Sequence, residues 1–195
     1  MHYIQSVFNK GNWGGNKNIE ISIYCPDQIA NDWNKYWKLH LPDIVEATYP
    51  FPRLTFCPMS SESRHYKIGD GFLSARKVYH AFGKIDALAF RFKTPKGIFV
   101  YSGDTGDCSG IREITKDADI FVSECTAPIS EISPSKYGHL NPQVVGDIAK
   151  NSGVKRLVLF HYIGLDSDEA IVNEIRRAGF KGEVIVGKDF QKIEV

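Results

Sequence analysis

Cysteine is scarce in this sequence and follows no pattern. The four cysteines, Cys25, Cys57, Cys108 and Cys125, form neither a C-x-x-C pair nor the close spacing of a disulfide framework, so a reducing cytosol is the expected compartment. Long apolar runs are also missing. No stretch is long enough to span a bilayer, and no basic segment followed by an apolar one opens the chain, which argues for a cytoplasmic protein with no membrane partner. Charge of one sign is lacking too. A formal net charge of +1 gives no global drive toward polyanions, and RNA stays open as a partner without support from charge. No internal repeat, low-complexity tract or linker divides the chain, so residues 1–195 are expected to form a single domain. An apolar content of 43% with 12% aromatics is enough for a packed core and argues against disorder.

What the sequence does contain is a recurring strand end. Ile98-Phe99-Val100-Tyr101 reads as a buried strand and stops on Ser102-Gly103-Asp104. Two later apolar runs, Ile120 to Val122 and Leu157 to Phe160, stop just before Glu124 and His161. In alternating strand and helix chains the carboxyl ends of strands share one rim, where ligands and chemistry collect. Asp104, Glu124, His139 and His161 are therefore expected to converge.

The surrounding elements follow from periodicity and punctuation. Ile19, Ile21 and Ile23 alternate as a half-buried strand, and a helix runs from Ile29 to His40, closed by Pro42. His40 sits at helical spacing beside tryptophans, and His65 stands among charged neighbours; both read as packing or solvated residues. Gly71 to Ser102 reads as an antiparallel meander of three strands, the first ending on His80. Ile111 and Ile114 suggest a short helix. A longer one runs from Pro142 to Asn151, with Asn141 as N-cap, and another from Asp168 to Ala178. The segments 183–186 and 190–195 read as a closing hairpin.

His80, Asp104 and His161 all stand at strand ends and all carry metal-ligand chemistry. Neutral imidazole and carboxylate suit zinc and other first-row metals, and an aspartate can give one oxygen to each of two ions.

These residues and their order resemble the metallo-β-lactamase fold hydrolases, in the branch that includes ribonuclease Z and related phosphodiesterases. The likeness rests on Val78-Tyr79-His80 followed by Leu88 to Phe92, on Ser102-Gly103-Asp104-Thr105, and on Asp119 to Thr126. It continues through Gly138-His139-Leu140-Asn141-Pro142 and Arg156 to Tyr162. The fold it implies is an α/β αββα sandwich. It also implies two divalent metal ions, zinc first, with manganese or iron as substitutes: His80 on one, Asp104 bridging, His161 on the other. By the same resemblance His139 is the proton-donating histidine, and Glu124 is the acid that orients it.

The family's H-x-H-x-D-H motif, which supplies most of the ligands, is absent. The resemblance therefore implies an N-terminally incomplete fold, with His2 as the candidate last histidine of that motif. Partial metal occupancy and little activity are expected for this chain alone. An exposed sheet edge would favour self-association or a complementing chain. Ser123 stands where ribonuclease Z enzymes carry histidine, Asn141 replaces a small hydroxyl residue, and no long basic arm is recognisable. These departures point to a relative acting on a small ester or phosphodiester. The alternative is a catalytically inactive pseudoenzyme or half-protein that serves as an interaction module.

Overall fold

The computed structural model describes residues 20–40, 53–59 and 65–193. They fall into two compact units, one within residues 1–59 and one within residues 60–195. His2 lies outside the described residues. In the first unit, strand β1 (Glu20–Cys25) leads into helix α1 (Asp27–His40), and strand β2 (Arg53–Pro58) pairs parallel with β1, Glu20 opposite Arg53 and Cys25 opposite Pro58. The alternation of Ile21 and Ile23 with polar residues had indicated this strand. A parallel pair needs a crossover, and α1 lies in it.

The second unit holds strands β3 (Tyr66–Ile68), β4 (Gly71–Val78), β5 (Ala87–Thr94), β6 (Gly97–Tyr101), β7 (Ile120–Glu124), β8 (Arg156–Phe160) and β9 (Glu183–Val186). They form one sheet whose spatial order is the sequence order. The pairs from β3 to β6 are antiparallel, as the tight turns at Gly69-Asp70 and Pro95-Lys96 require, and the pairs from β6 to β9 are parallel. Helices α2 (Ser109–Ile114), α3 (Pro142–Asn151) and α4 (Asp168–Arg177) fill the connections.

Period-two alternation sends one set of side chains to the helical side. Val78, Ala89, Val100, Phe121, Leu157 and Leu159 pack there with Ile111 and Ile114 of α2, Val145 and Ile148 of α3, and Ile171 and Ile175 of α4. Burial of this set supplies most of the driving force, at about 1.5–3 kcal/mol for each large side chain. Helix α3 begins as its sequence dictates: the Asn141 side chain accepts from the Val144 N–H at 2.9 Å, and Pro142 occupies the first turn, where no N–H is needed.

Two sequence expectations need correction. The meander was expected to begin at Gly71, but strand β3 precedes it; its three residues are too few to show a period. The closing hairpin is not seen among the described residues, because β9 pairs parallel with β8 and no strand follows through Ile193. Phe190 instead adopts a φ of +64° and is fully exposed. Among the described residues no helix is long and apolar enough to cross a membrane.

Candidate metal centre

Strands β4 and β6 are both antiparallel to β5, and β7 and β8 are parallel to β6, so all four run in the same direction and end on one rim. His80, Asp104, Glu124 and His161 lie at those four ends. Each is set there by a local backbone device. Gly103 takes a φ of +58° and lies so close to β5 that a Cβ would stand 2.9 Å from the Leu88 carbonyl oxygen. Only glycine tolerates both demands, and the turn carries Asp104 across the sheet end. The Ser102 hydroxyl beside it is buried; it accepts from the Glu124 N–H at 2.9 Å and donates to the Gly103 carbonyl at 2.7 Å, tying the ends of β6 and β7. His161 itself has a φ of +53°, a strained position for a residue with a Cβ.

The rim divides by hydrogen bonding. On one side, the Glu124 carboxylate is wholly buried. Its Oε1 accepts from the Thr105 N–H and the Leu140 N–H, each at 3.1 Å, and lies 3.2 Å from His139 Nδ1; its Oε2 accepts from the Thr126 N–H at 2.9 Å. Burial pushes this carboxyl up from its ordinary value, and the N–H groups of Thr126 and Thr105, with the charge of His139, pull it back. Burial likewise pushes the neighbouring Cys125 thiol up to about 12, so in the metal-free protein it stays protonated.

On the other side one acceptor faces another. His80 Nδ1 lies 2.9 Å from the Gly138 carbonyl oxygen, which can only accept. Nδ1 therefore carries the proton, and Nε2 presents a lone pair. That nitrogen points to Asp104 Oδ2 at 4.0 Å, too far for a hydrogen bond. Asp104 Oδ1 lies 3.4 Å from His161 Nδ1. The Thr126 hydroxyl stands 2.7 Å from both the carbonyl oxygen and Nδ1 of His161 and fixes the ring. The His139 ring joins the two sides, with its centroid 5.0 Å from His80 and 6.0 Å from His161.

All five described candidates, His80, Asp104, Glu124, His139 and His161, therefore converge. By distance alone, Glu124, His139 and His161 offer three donor atoms within 4.8 Å of one another. The hydrogen bonds favour a different set. Both Glu124 oxygens are taken by N–H donors, whereas His80 Nε2 and the Asp104 carboxylate have nothing between them that suits either. A carboxylate flanked by imidazoles, one of them held in its ligand tautomer by a backbone carbonyl, fits a divalent cation. Sequence reading missed Thr126 and the Gly138 carbonyl. Both stand in runs that carried the resemblance, Asp119 to Thr126 and Gly138 to Pro142, but nothing in those runs gave either a role.

The family pattern described as Beta-lactamase superfamily domain matches residues 15–162. The chain belongs to the beta-lactamase superfamily. Its similarity to curated superfamily members runs to ribonuclease Z of Picrophilus torridus, 26% identical over 172 residues covering 83% of this chain and 52% of that protein. Ribonuclease Z of Streptomyces coelicolor is 32% identical over 99 residues, 50% of this chain and 33% of that protein. The chain thus spans about a third to a half of the curated relatives it matches. Among solved superfamily structures, the metallo-beta-lactamase fold protein YhfI of Bacillus subtilis superposes with a TM-score of 0.69 at 21% identity, over 87% of this chain and 63% of that one. Human tRNase Z, short form, gives 0.60 at 19% identity, over 90% and 66%. The α/β fold expected from the motifs is the metallo-β-lactamase fold, and the ribonuclease Z-like branch is where its relatives lie.

Proposed function

We propose that the rim of His80, Asp104, His139 and His161 is the phosphodiester-cleaving centre of a metal-dependent hydrolase. The observation that carries this reading is the Asp104 carboxylate, one oxygen turned toward the lone pair of His80 Nε2 and the other toward His161 Nδ1. Asp104 would bridge two divalent ions, zinc first, with His80 and His161 each on one. His2, outside the described residues, remains a proposed further ligand. Such ions, when bound, lower the pKa of water and stabilise charge on a phosphoryl oxygen.

The chain's own groups supply the rest. Glu124 accepts from His139 Nδ1 and steadies the imidazolium, so His139 Nε2 can deliver a proton to the leaving alkoxide. Thr126 and the Gly138 carbonyl hold His161 and His80 in orientation. The names of the curated relatives favour a nucleic-acid phosphodiester over the small ester that the sequence departures suggested. The matched segment, residues 15–162, runs through both compact units and supports reading them as one domain.

The test is calorimetric titration of the metal-free protein with zinc and manganese, alongside hydrolysis of bis(4-nitrophenyl) phosphate. The reading expects binding that weakens at least about tenfold in Asp104→Asn, and turnover that requires the metal. Equal metal affinity in the two proteins would overturn the assignment of Asp104. Turnover that persists undiminished once the metal is removed would overturn the metal-dependent hydrolase.

A further inference from the structure

Two exposed aromatic side chains flank the rim, and nothing in the chemistry above uses them. Phe82 is 57% exposed and Tyr137 is 50% exposed. Each stands two residues from a histidine of the centre, Phe82 after His80 and Tyr137 before His139. Their rings meet edge to face, with centroids 6.1 Å apart and planes at 78°. Single exposed apolar side chains are common, but two aromatic rings paired at the edge of the rim make a local apolar patch.

The backbone beneath Phe82 adds to the oddity. Ala81 and Phe82 both take positive φ, +46° and +58°, one after the other, a conformation that side chains with a Cβ rarely adopt. Glycine stands next in the chain, yet the strained position itself carries phenylalanine. Strain of this kind persists where the surroundings over-determine it. They do so here. Gly138, with a φ of +84°, packs its Cα face against the His80 and Ala81 backbone, where a Cβ would come within 2.7 Å of His80 Cα and 2.8 Å of Ala81 N. The His80 imidazole bonds the Gly138 carbonyl across the same gap, and the Gly83 N–H donates back to the His80 carbonyl at 2.9 Å. The two loops are thus clamped together, and the clamp fixes both aromatic rings beside the histidines. Lys136, exposed, has its Nζ 5.7 Å from the centroid of the Tyr137 ring.

We infer that Phe82 and Tyr137 form a stacking corner for the base next to the scissile phosphate, with Lys136 taking the adjoining phosphate. The inference rests on the phosphodiesterase reading and narrows its substrate to a nucleotide-bearing, single-stranded phosphodiester. Stacking on an aromatic face tolerates any base, because every base has a π-face, and a neighbouring ammonium meets the backbone charge. An edge-to-face pair presents a flat ring with one aromatic face and one aromatic edge at right angles, which orients the base as well as holding it. Phe82 and Tyr137 are positioning and specificity residues; the chemistry stays with the histidines and Asp104.

The experiment is binding of a short single-stranded RNA carrying one 2-aminopurine, whose fluorescence is quenched on stacking, to the full chain. Wild type is expected to quench it, and an abasic RNA of equal length should compete about tenfold more weakly. In the Phe82→Ala/Tyr137→Ala protein the quenching should vanish and the two RNAs should compete equally. Phe82→Gly should lose affinity with its Tm unchanged or raised, since glycine accepts the positive φ; this separates lost stacking from lost folding. Unaltered quenching in the double variant, no quenching in wild type, or wild-type affinity in Phe82→Gly overturns the inference. Metal-dependent RNA hydrolysis measured on the same proteins keeps the two readings apart. Hydrolysis without base discrimination removes only the stacking corner, and quenching lost in the variants without hydrolysis removes only the phosphodiesterase.

Discussion

Two carboxylates reach the same rim, and they are equipped in opposite ways. Glu124 is fully buried and meets three backbone N–H groups and an imidazole. Asp104 is 40% exposed and looks toward a lone pair on one side and an imidazole at 3.4 Å on the other. A carboxylate whose oxygens are already filled holds a structure together. One that meets no backbone N–H, and one of whose oxygens faces the lone pair of His80 Nε2, is left able to take a cation. The difference separates a part of the rim that the fold itself satisfies from a part that the proposed metal would complete.

The largest effect that would sharpen this contrast is on turnover. Asp104→Asn is expected to lower metal-dependent hydrolysis by on the order of 10³-fold while leaving the metal-free protein as stable as wild type. Steady-state rates and denaturant melts read the two halves separately. A large loss of metal-free stability would break the comparison.

Glu124→Ala should do the reverse. It strands the N–H groups of Thr105, Thr126 and Leu140 in the interior and should cost roughly 3–5 kcal/mol, visible as a lower urea midpoint at unchanged slope. A Glu124→Ala protein as stable as wild type would show that water satisfies those groups and that the buried acid is dispensable to the fold.

A smaller effect comes from a third carboxylate far from the rim. Asp119 accepts from Lys155 Nζ at 2.6 Å and from the Ile98 N–H at 2.7 Å, and these bonds, the lysine first, hold its carboxyl below the ordinary carboxylate range. Because the folded value is depressed, its contribution is complete above the unfolded carboxylate pKa and is lost as pH falls through the folded value. Asp119→Asn should cost about 1 kcal/mol at neutral pH and nothing once the wild-type acid is protonated. Urea melts across the acid range check this, and a cost independent of pH would remove Asp119 from the class of satisfied carboxylates.

Much of this was legible in the sequence, for reasons that lie in particular residues. The alternation of β5 and the apolar runs of β6 to β8 announce themselves, and Asn141-Pro142 marks the start of α3 by chemistry that any helix start would share. Strand direction then carries His80, Asp104, Glu124 and His161 to one rim with no further information. What was not legible depends on distance through space. That the Gly138 carbonyl would reach His80 across 58 positions, or Thr126 reach His161 across 35, is decided by how loops close over the rim. Tyr137 drew no reading from the sequence, because exposure and a neighbour's backbone angles leave no trace in periodicity. The hairpin expected after β9 failed for a related cause: apolar residues at 190 and 193 look like a strand, but nothing in their spacing says whether a pairing partner is at hand.

The spatial order of the sheet, identical to its order along the chain, bears on how the centre comes into being. Each strand from β4 to β9 docks on the one made just before it, so growth can proceed from one edge without waiting for a distant segment. The histidine of β4 is placed early, the aspartate of β6 follows, and His161 arrives only when β8 has been laid down. During synthesis the rim is therefore completed late, with only helix α4 and strand β9 still to follow, and a nascent chain stopped before residue 161 would hold the meander and helix α3 without the finished rim.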